Sequence, residues 1–350
     1  MSSVPLVPET VQDDGGPVTA REAWRGVRGE GIGTVAGELA TRFRYGDGFS
    51  SARALAFQLS LAALPLCIAV IGLAGAWEAL TVRLVLSRTI LQLTPGASDD
   101  LLRRTLPSDD TSLGTAALVL AGTSALVALT TAMAQVERGA NRIYGIHRDR
   151  PSAAKYRRAL VLSVAAGLPL MAGSLLILTR GAFAEAVQSV YAVDDDVVEA
   201  WTGPAALVLV VSSLVAVLHR APARTQPHWP VLLTGSLLAI GAWTGLTLLL
   251  AGFLELSTGF GSVYGPVTGV IALLLWAQMS ATALFLGVAV SAELEMTAHR
   301  ARRRARDVGA DRTPTVREEL DMTGPNPTVL ARDGDRTTGA RASPSAPSWA

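Results

Sequence analysis

Residues 159–179, ALVLSVAAGLPLMAGSLLILT, run for 21 positions without a charged side chain, and Lys155, Arg157 and Arg158 stand just before them. A hydrocarbon core about 30 Å thick is spanned by roughly 20 mostly apolar helical residues, so the stretch reads as a membrane span. It must be helical, because lipid offers no partner to backbone N–H and C=O groups. Five further stretches read the same way: 54–77, 113–135, 203–218, 231–254 and 265–292, the fourth span being the shortest. The 350 residues would suffice for two soluble domains, but half are apolar, 17% are charged and the mean hydropathy is +0.37. The apolar residues come in blocks, without the short alternating segments of an outer-membrane barrel. The fold class is therefore all-α: a polytopic membrane protein with six transmembrane helices.

Charge between the spans gives the orientation. Arg21, Arg25, Arg28, Arg42, Arg44 and Arg53 precede the first span, and Arg138, Arg142, Arg148, Arg150, Lys155, Arg157 and Arg158 lie between the second and third. The connection after the third span is acidic, with Glu185, Asp194, Asp195, Asp196 and Glu199 against Arg180 alone. Arg220 and Arg224 precede the fifth span, no Lys or Arg follows it, and Arg300, Arg302, Arg303, Arg304 and Arg306 follow the sixth. Basic loops stay in the cytoplasm, so both termini are expected there. Tyr45, Trp77, Tyr144, Trp201, Trp229 and Tyr264 fall near segment ends, where amphipathic rings favour the headgroup region.

The remaining chain divides by composition. Residues 1–20 and 307–350 are rich in Pro, Gly, Ser, Thr and Asp and are expected to be disordered. Residues 1–20 also lack the basic and apolar regions of a cleavable signal, so the first span is expected to act as an uncleaved anchor. Within 21–53, Ile32, Val35, Ala36, Leu39 and Phe43 recur at helical spacing. They predict an amphipathic helix, either lying on the cytoplasmic leaflet or packed on the loops. Residues 293–306 read as a basic helical extension that contacts anionic lipid, with no nucleic-acid role. Cys67 is the sole cysteine and lies in a span, which excludes an intramolecular disulfide.

Four patterns carry the remaining information. Arg53-Ala54-Leu55-Ala56-Phe57-Gln58 leads to Leu64-Pro65-Leu66, placing a kinking proline and a polar Gln58 inside span one. At the end of span two, Gln135 to Gly145 gathers polar groups, with Glu137 and Asn141 on one helix face. That cluster is either a helix end in which Glu137 pairs with Arg138 or Arg142, or a cytoplasmic gate. Gly261, Gly265 and Gly269, and Gly241 with Gly245, are spaced for close helix approach. Gln278 lies in mid-span beside Trp276 and Ser280, where it needs either a partner on another helix or water.

In this order along six spans, these motifs resemble the YihY/virulence factor BrkB family of bacterial inner-membrane proteins, formerly mislabelled ribonuclease BN. The likeness runs from about Arg42 to Glu295. It rests on Arg53 to Phe57 with Leu64-Pro65-Leu66, on Asn141-Arg142-Ile143-Tyr144-Gly145, and on Gly261-Ser262-Val263-Tyr264-Gly265 followed by Leu273-Leu274-Leu275-Trp276. The resemblance implies six spans with cytoplasmic termini in the inner membrane. The family usually ends its last span with Gly-Ala-Glu-(Leu/Val)-Asn-Ala. Set against Gly287-Val288-Ala289-Val290-Ser291-Ala292, that pattern puts Ala289 in place of its carboxylate and Ser291 in place of its asparagine.

No enzyme motif is visible, and no cofactor or metal is expected. His147, His219, His228 and His299 are scattered, without a ligand-like neighbour at i+2 or i+4. The expected function is secondary transport or lipid translocation, with a lipid or small solute as substrate. Gln58, Gln135, Glu137, Asn141 and Gln278 would form a polar path, and Arg53, Arg142, Tyr144 and Tyr264 would be gate or anchor residues. Lipid is favoured because no buried acid remains for a proton relay. The competing reading is a non-transporting membrane scaffold.

Overall fold

The computed structural model describes residues 16–76, 115–146, 150–191, 194–224, 227–256 and 268–311, which form helices and the turns between them, with no strand among them. The elements are α1 (Ala20–Glu30), α2 (Ile32–Tyr45), α3 (Gly48–Ala76), α4 (Thr115–Ile143), α5 (Ser152–Leu162), α6 (Leu168–Tyr191), α7 (Asp195–Arg220), α8 (Trp229–Leu256) and α9 (Thr268–Asp311). A π-helical turn, Ser163–Gly167, joins α5 to α6 as one rod. Six helical stretches are long and apolar enough to cross a membrane. Trp77, Tyr264, Gly261, Gly265, Pro266, the connection 78–112 and the tails 1–15 and 312–350 lie outside the described residues.

Expected spans 203–218 and 231–254 sit inside α7 and α8, 159–179 runs through α5, the π turn and α6, and the described parts of 54–77, 113–135 and 265–292 lie in α3, α4 and α9. Their outer faces carry exposed Val119, Leu120, Val127, Val208, Leu248 and Leu249, as expected of surfaces solvated by hydrocarbon. Hydroxyls in the spans bond back to their own helix: Ser60 donates to Ala56 O, Thr123 to Val119 O and Ser174 to Leu170 O. Pro65 is accommodated within α3. α3 packs along α4, α6 along α7, and α7 against α8. Exposed Trp229 starts α8, exposed Trp201 lies two turns into α7, and exposed Tyr45 ends α2.

At one end of the bundle, here called the base, α1 and α2 fold against the end of α4, the turn after α7 and the lower part of α9. The amphipathic helix expected from Ile32 to Phe43 is α2, and α1 precedes it across a break at Gly31, whose φ of 87° suits a residue without a Cβ. Val35 and Leu39 pack on the core and Phe43 is buried within it, so α2 is held on protein, although Ile32 stays exposed.

α9 organises the base. At ~1.5 Å per residue, Thr268 to Arg303 extends about 54 Å, well beyond a hydrocarbon core of about 30 Å. Close approach to it is made by glycines other than those expected. A Cβ on Gly235 would collide with Ser291 and lie 2.8 Å from Gly287 O, and one on Gly26 would lie 2.6 Å from Thr297 O. At Gly241 and Gly245 an added Cβ meets nothing within 4 Å, which corrects the expected packing role of that pair. Spacing alone cannot show whether a small-residue stripe faces a helix or lipid. Residues 304–350 form a second unit, of which the last helical residues, 304–311, are described. Helix α9 therefore continues five residues beyond residue 306, where the disordered tail was expected to begin.

Candidate functional site

In the half of the bundle nearer the base, the spans leave a cavity of about 120 Å³. Its wall takes Leu55 and Leu59 from α3, Met133 and Val136 from α4, Leu170 from α6, Leu214 from α7, Trp243 from α8, and Trp276 and Ala281 from α9. Ser163 and Gly167 of the π turn complete it. The turn has a local cause: Ser163 Oγ donates to Ala159 O at 2.7 Å and to Leu129 O on α4 at 3.0 Å. The two mid-span tryptophans also belong to this wall, and Trp243 Nε1 donates to Ser280 Oγ at 3.0 Å. The other polar wall residue on α6, Ser174, bonds to its own helix, so the chamber is essentially apolar.

Below the cavity lies a polar floor. Glu137 and Asn141 share the inward face of α4, one turn apart, and both are buried. Glu137 accepts from Arg150 at 3.0 Å, while Arg150 also donates to Pro222 O at 3.1 Å. Asn141 Oδ1 accepts from the Ala223 amide at 2.8 Å. The cluster thus holds the turn that ends α7, binding backbone groups a helix terminus leaves free. Arg138 and Arg142 are not the partners of Glu137. One residue further along the helix they point outward, Arg138 to Gln135 at 2.6 Å and Arg142 to Asp47 at 3.2 Å.

The other expected path residues are dispersed. Gln58 accepts from Thr131 at 3.1 Å across α3 and α4, and Gln278 donates to Thr282 at 3.3 Å on its own helix. None of Gln58, Gln135, Glu137, Asn141 and Gln278 lines the cavity. Arg53 is exposed. Tyr144, expected at an interface, is buried with the Arg224 guanidinium 4.8 Å from its ring centre. Burial pushes its phenol above the ordinary value, and the nearby Glu295 carboxylate adds to the effect.

A second buried layer was missed in the sequence. Arg42 Nε donates to Glu293 Oε2 at 2.8 Å, with side chains 5% and 2% exposed, and Arg42 Nη1 reaches Ile143 O at 3.2 Å. Arg300 gathers Glu30 at 3.2 Å, Glu38, and Glu293 at 3.5 Å. Glu295 accepts from Arg224, and His299 Nε2 lies 3.7 Å from Glu295 Oε1. Arg302 closes the layer on α1 by donating to Glu22 at 2.7 Å. The expectation that no buried acid remains is therefore overturned by Glu137, Glu293 and Glu295. His299 does have an acidic neighbour, Glu295 at i−4.

The same layer corrects the reading of the closing motif. Ala292-Glu293-Leu294 reproduces the pattern's Ala-Glu-Leu four residues beyond the stretch first compared. The carboxylate of that triplet, Glu293, is buried and ion-paired. The signal was that triplet, together with an arginine one position before the buried Phe43.

Six membrane-length helices around an apolar chamber, closed below by buried ion pairs, define a multi-pass helical membrane protein. The chain belongs to the virulence factor BrkB family, whose sequence profile matches residues 39–311. No curated protein and no solved structure matches it.

Proposed function

We propose that this protein moves lipid-like molecules across the bacterial inner membrane, as a secondary transporter or lipid translocator without ATP or catalytic chemistry of its own. The observation that carries the reading is the cavity between the spans. Apolar cavities of about 150 Å³ remain dry and accept benzene-sized guests, so a space of about 120 Å³ suits a short acyl segment better than a hydrated ion. The base lies on the cytoplasmic side, where exposed Arg53, Arg138, Arg142 and Arg157 meet anionic headgroups.

The test is lipid transfer in proteoliposomes, read as loss of fluorescence when a membrane-impermeant reductant bleaches labelled phospholipid in the outer leaflet. Wild-type protein should expose inner-leaflet lipid. Ala281→Phe, which fills the chamber, should slow transfer at least tenfold while the protein still reconstitutes as folded material. Equal rates in wild-type, variant and protein-free vesicles would sink the carrier reading. The scaffold reading predicts instead that a cellular phenotype follows deletion of residues 307–350 and is indifferent to Ala281.

A further inference from the structure

Beneath the cavity, one pair of side chains carries polar atoms that the ion pairs of the base leave unused. Glu295 and His299 lie one turn apart on α9 and are each more than nine-tenths buried, with His299 Nε2 3.7 Å from Glu295 Oε1. Neither imidazole nitrogen has a hydrogen-bond partner, and neither does Glu295 Oε2. Buried polar atoms are nearly always satisfied, so three in one place call for an explanation. These atoms are shut off from solvent, and the proton is the ligand that needs no volume.

We propose that Glu295 and His299 form a proton-binding site and that occupancy of this site is coupled to the carrier's cycle. A proton arriving from water adds to the free imidazole nitrogen. Both ring nitrogens then carry hydrogen, and Nε2–H donates to Glu295 Oε1; no other bond is made or broken. The charged neighbours make this event consequential. Arg224, in the turn after α7, donates to the same Glu295 Oε1 and covers the Tyr144 ring at the end of α4. Arg42 from α2 acts on that ring as well. Arg302 and Arg303 follow on α9, the first held by Glu22 of α1. Against this stretch α1 sets Ala23, Gly26 and Val27 and brings Glu30 to Arg300, α2 brings Glu38 to Arg300, Glu293 of α9 also meets Arg300, and α8 sets Val231.

While His299 is neutral, Glu295 balances Arg224. A protonated His299 competes with Arg224 for one oxygen, which loosens the hold of α9 on the turn Ala221–Arg224. Asn141 and Arg150 fix that turn from the other side, directly beneath the chamber. The link to transport rests on the carrier reading, whereas proton binding does not.

The experiment is nitrogen NMR of histidine-labelled full-length protein in nanodiscs between pH 8 and pH 5. The His299 signal is identified by its loss in His299→Gln. If that variant does not fold, it is identified in a variant with His147, His219 and His228 replaced by Gln. The expected result is passage from neutral imidazole to imidazolium, requiring at least tenfold more protons in Glu295→Gln. A signal that stays neutral throughout, or an unchanged midpoint in Glu295→Gln, would overturn the site. If the pair titrates but no lipid moves in vesicles, the carrier reading and its coupling fall while the proton site stands.

Discussion

The two halves of α9 share one helix and use opposite chemistry. From Thr268 to Leu284 its inner face is tryptophan, alanine, leucine and serine around the cavity, and its outer face exposes Val270 and Leu274. From Ser291 to Arg302 it is at least as deeply buried, yet carries Glu293, Glu295, His299, Arg300 and Arg302. The upper half is held by shape and by exclusion from water. The lower half is held by charge pairs that tie the N-terminal helices and the turn after α7 to the bundle. The charged half is the more deeply buried of the two, so its charges depend on partners rather than on water.

The largest effect should come from splitting the most buried pair. Arg42→Ala leaves Glu293 charged and without its closest donor, which costs about 3–5 kcal/mol when one partner of a buried pair is removed. Thermal melting in detergent should show this as severe loss of folded protein. Replacing both residues by leucine should recover most of it, since an apolar pair of similar volume leaves no stranded charge. If Arg42→Ala melts like wild type, the lower half is not held by charge and the contrast between the halves fails.

That pair was also the least legible feature of the sequence. The spans could be read because hydropathy sums over about 20 residues and needs no knowledge of neighbours. The buried charges were invisible for the same reason. Glu293, Glu295, His299 and Arg300 follow an apolar run, as residues entering water do. Their partners Arg42, Arg224 and Glu38 lie 251, 71 and 262 positions away. Charge counting had assigned Arg42 and Arg300 to topology, a role that does not require burial. At the site, the inward face of Glu137 and Asn141 was legible from i, i+4 spacing. Their partners were not, because Arg150 and Ala223 arrive from other turns.

A middle-sized effect tests the packing that joins the halves. A methyl added in Gly287→Ala would stand 2.7 Å from Ala239 Cβ and 2.9 Å from Gly235 O, so α8 and α9 must part. Overpacking of this kind costs about 1–3 kcal/mol. Gly241→Ala on the lipid side should be neutral or slightly stabilising, because it meets nothing and alanine favours helix. Melting temperatures of the two variants, compared side by side, check both. Equal losses would mean that the crossing point of α8 and α9 lies elsewhere.

The smallest effect belongs to the rim of the charged half. Glu22 accepts from Arg302, caps α1 through Thr19, and is lowered from 4.5 to about 2, first by its hydrogen bond to Arg302 and then, against the opposing effect of burial, by its bonds to Thr19. Because the folded-state value lies below the unfolded one, the carboxylate stabilises the protein above about pH 4.5 and loses that contribution as pH falls toward 2. The pair is partly exposed, so Glu22→Gln should cost no more than about 1 kcal/mol at neutral pH. Hydrogen exchange of the α1 amides should accelerate in the variant at pH 7 and converge with wild type near pH 2. The upper half of α9, held by apolar packing around the cavity, should stay protected over the same range. Exchange that spread into the cavity wall as readily as into α1 would show that the two halves open together.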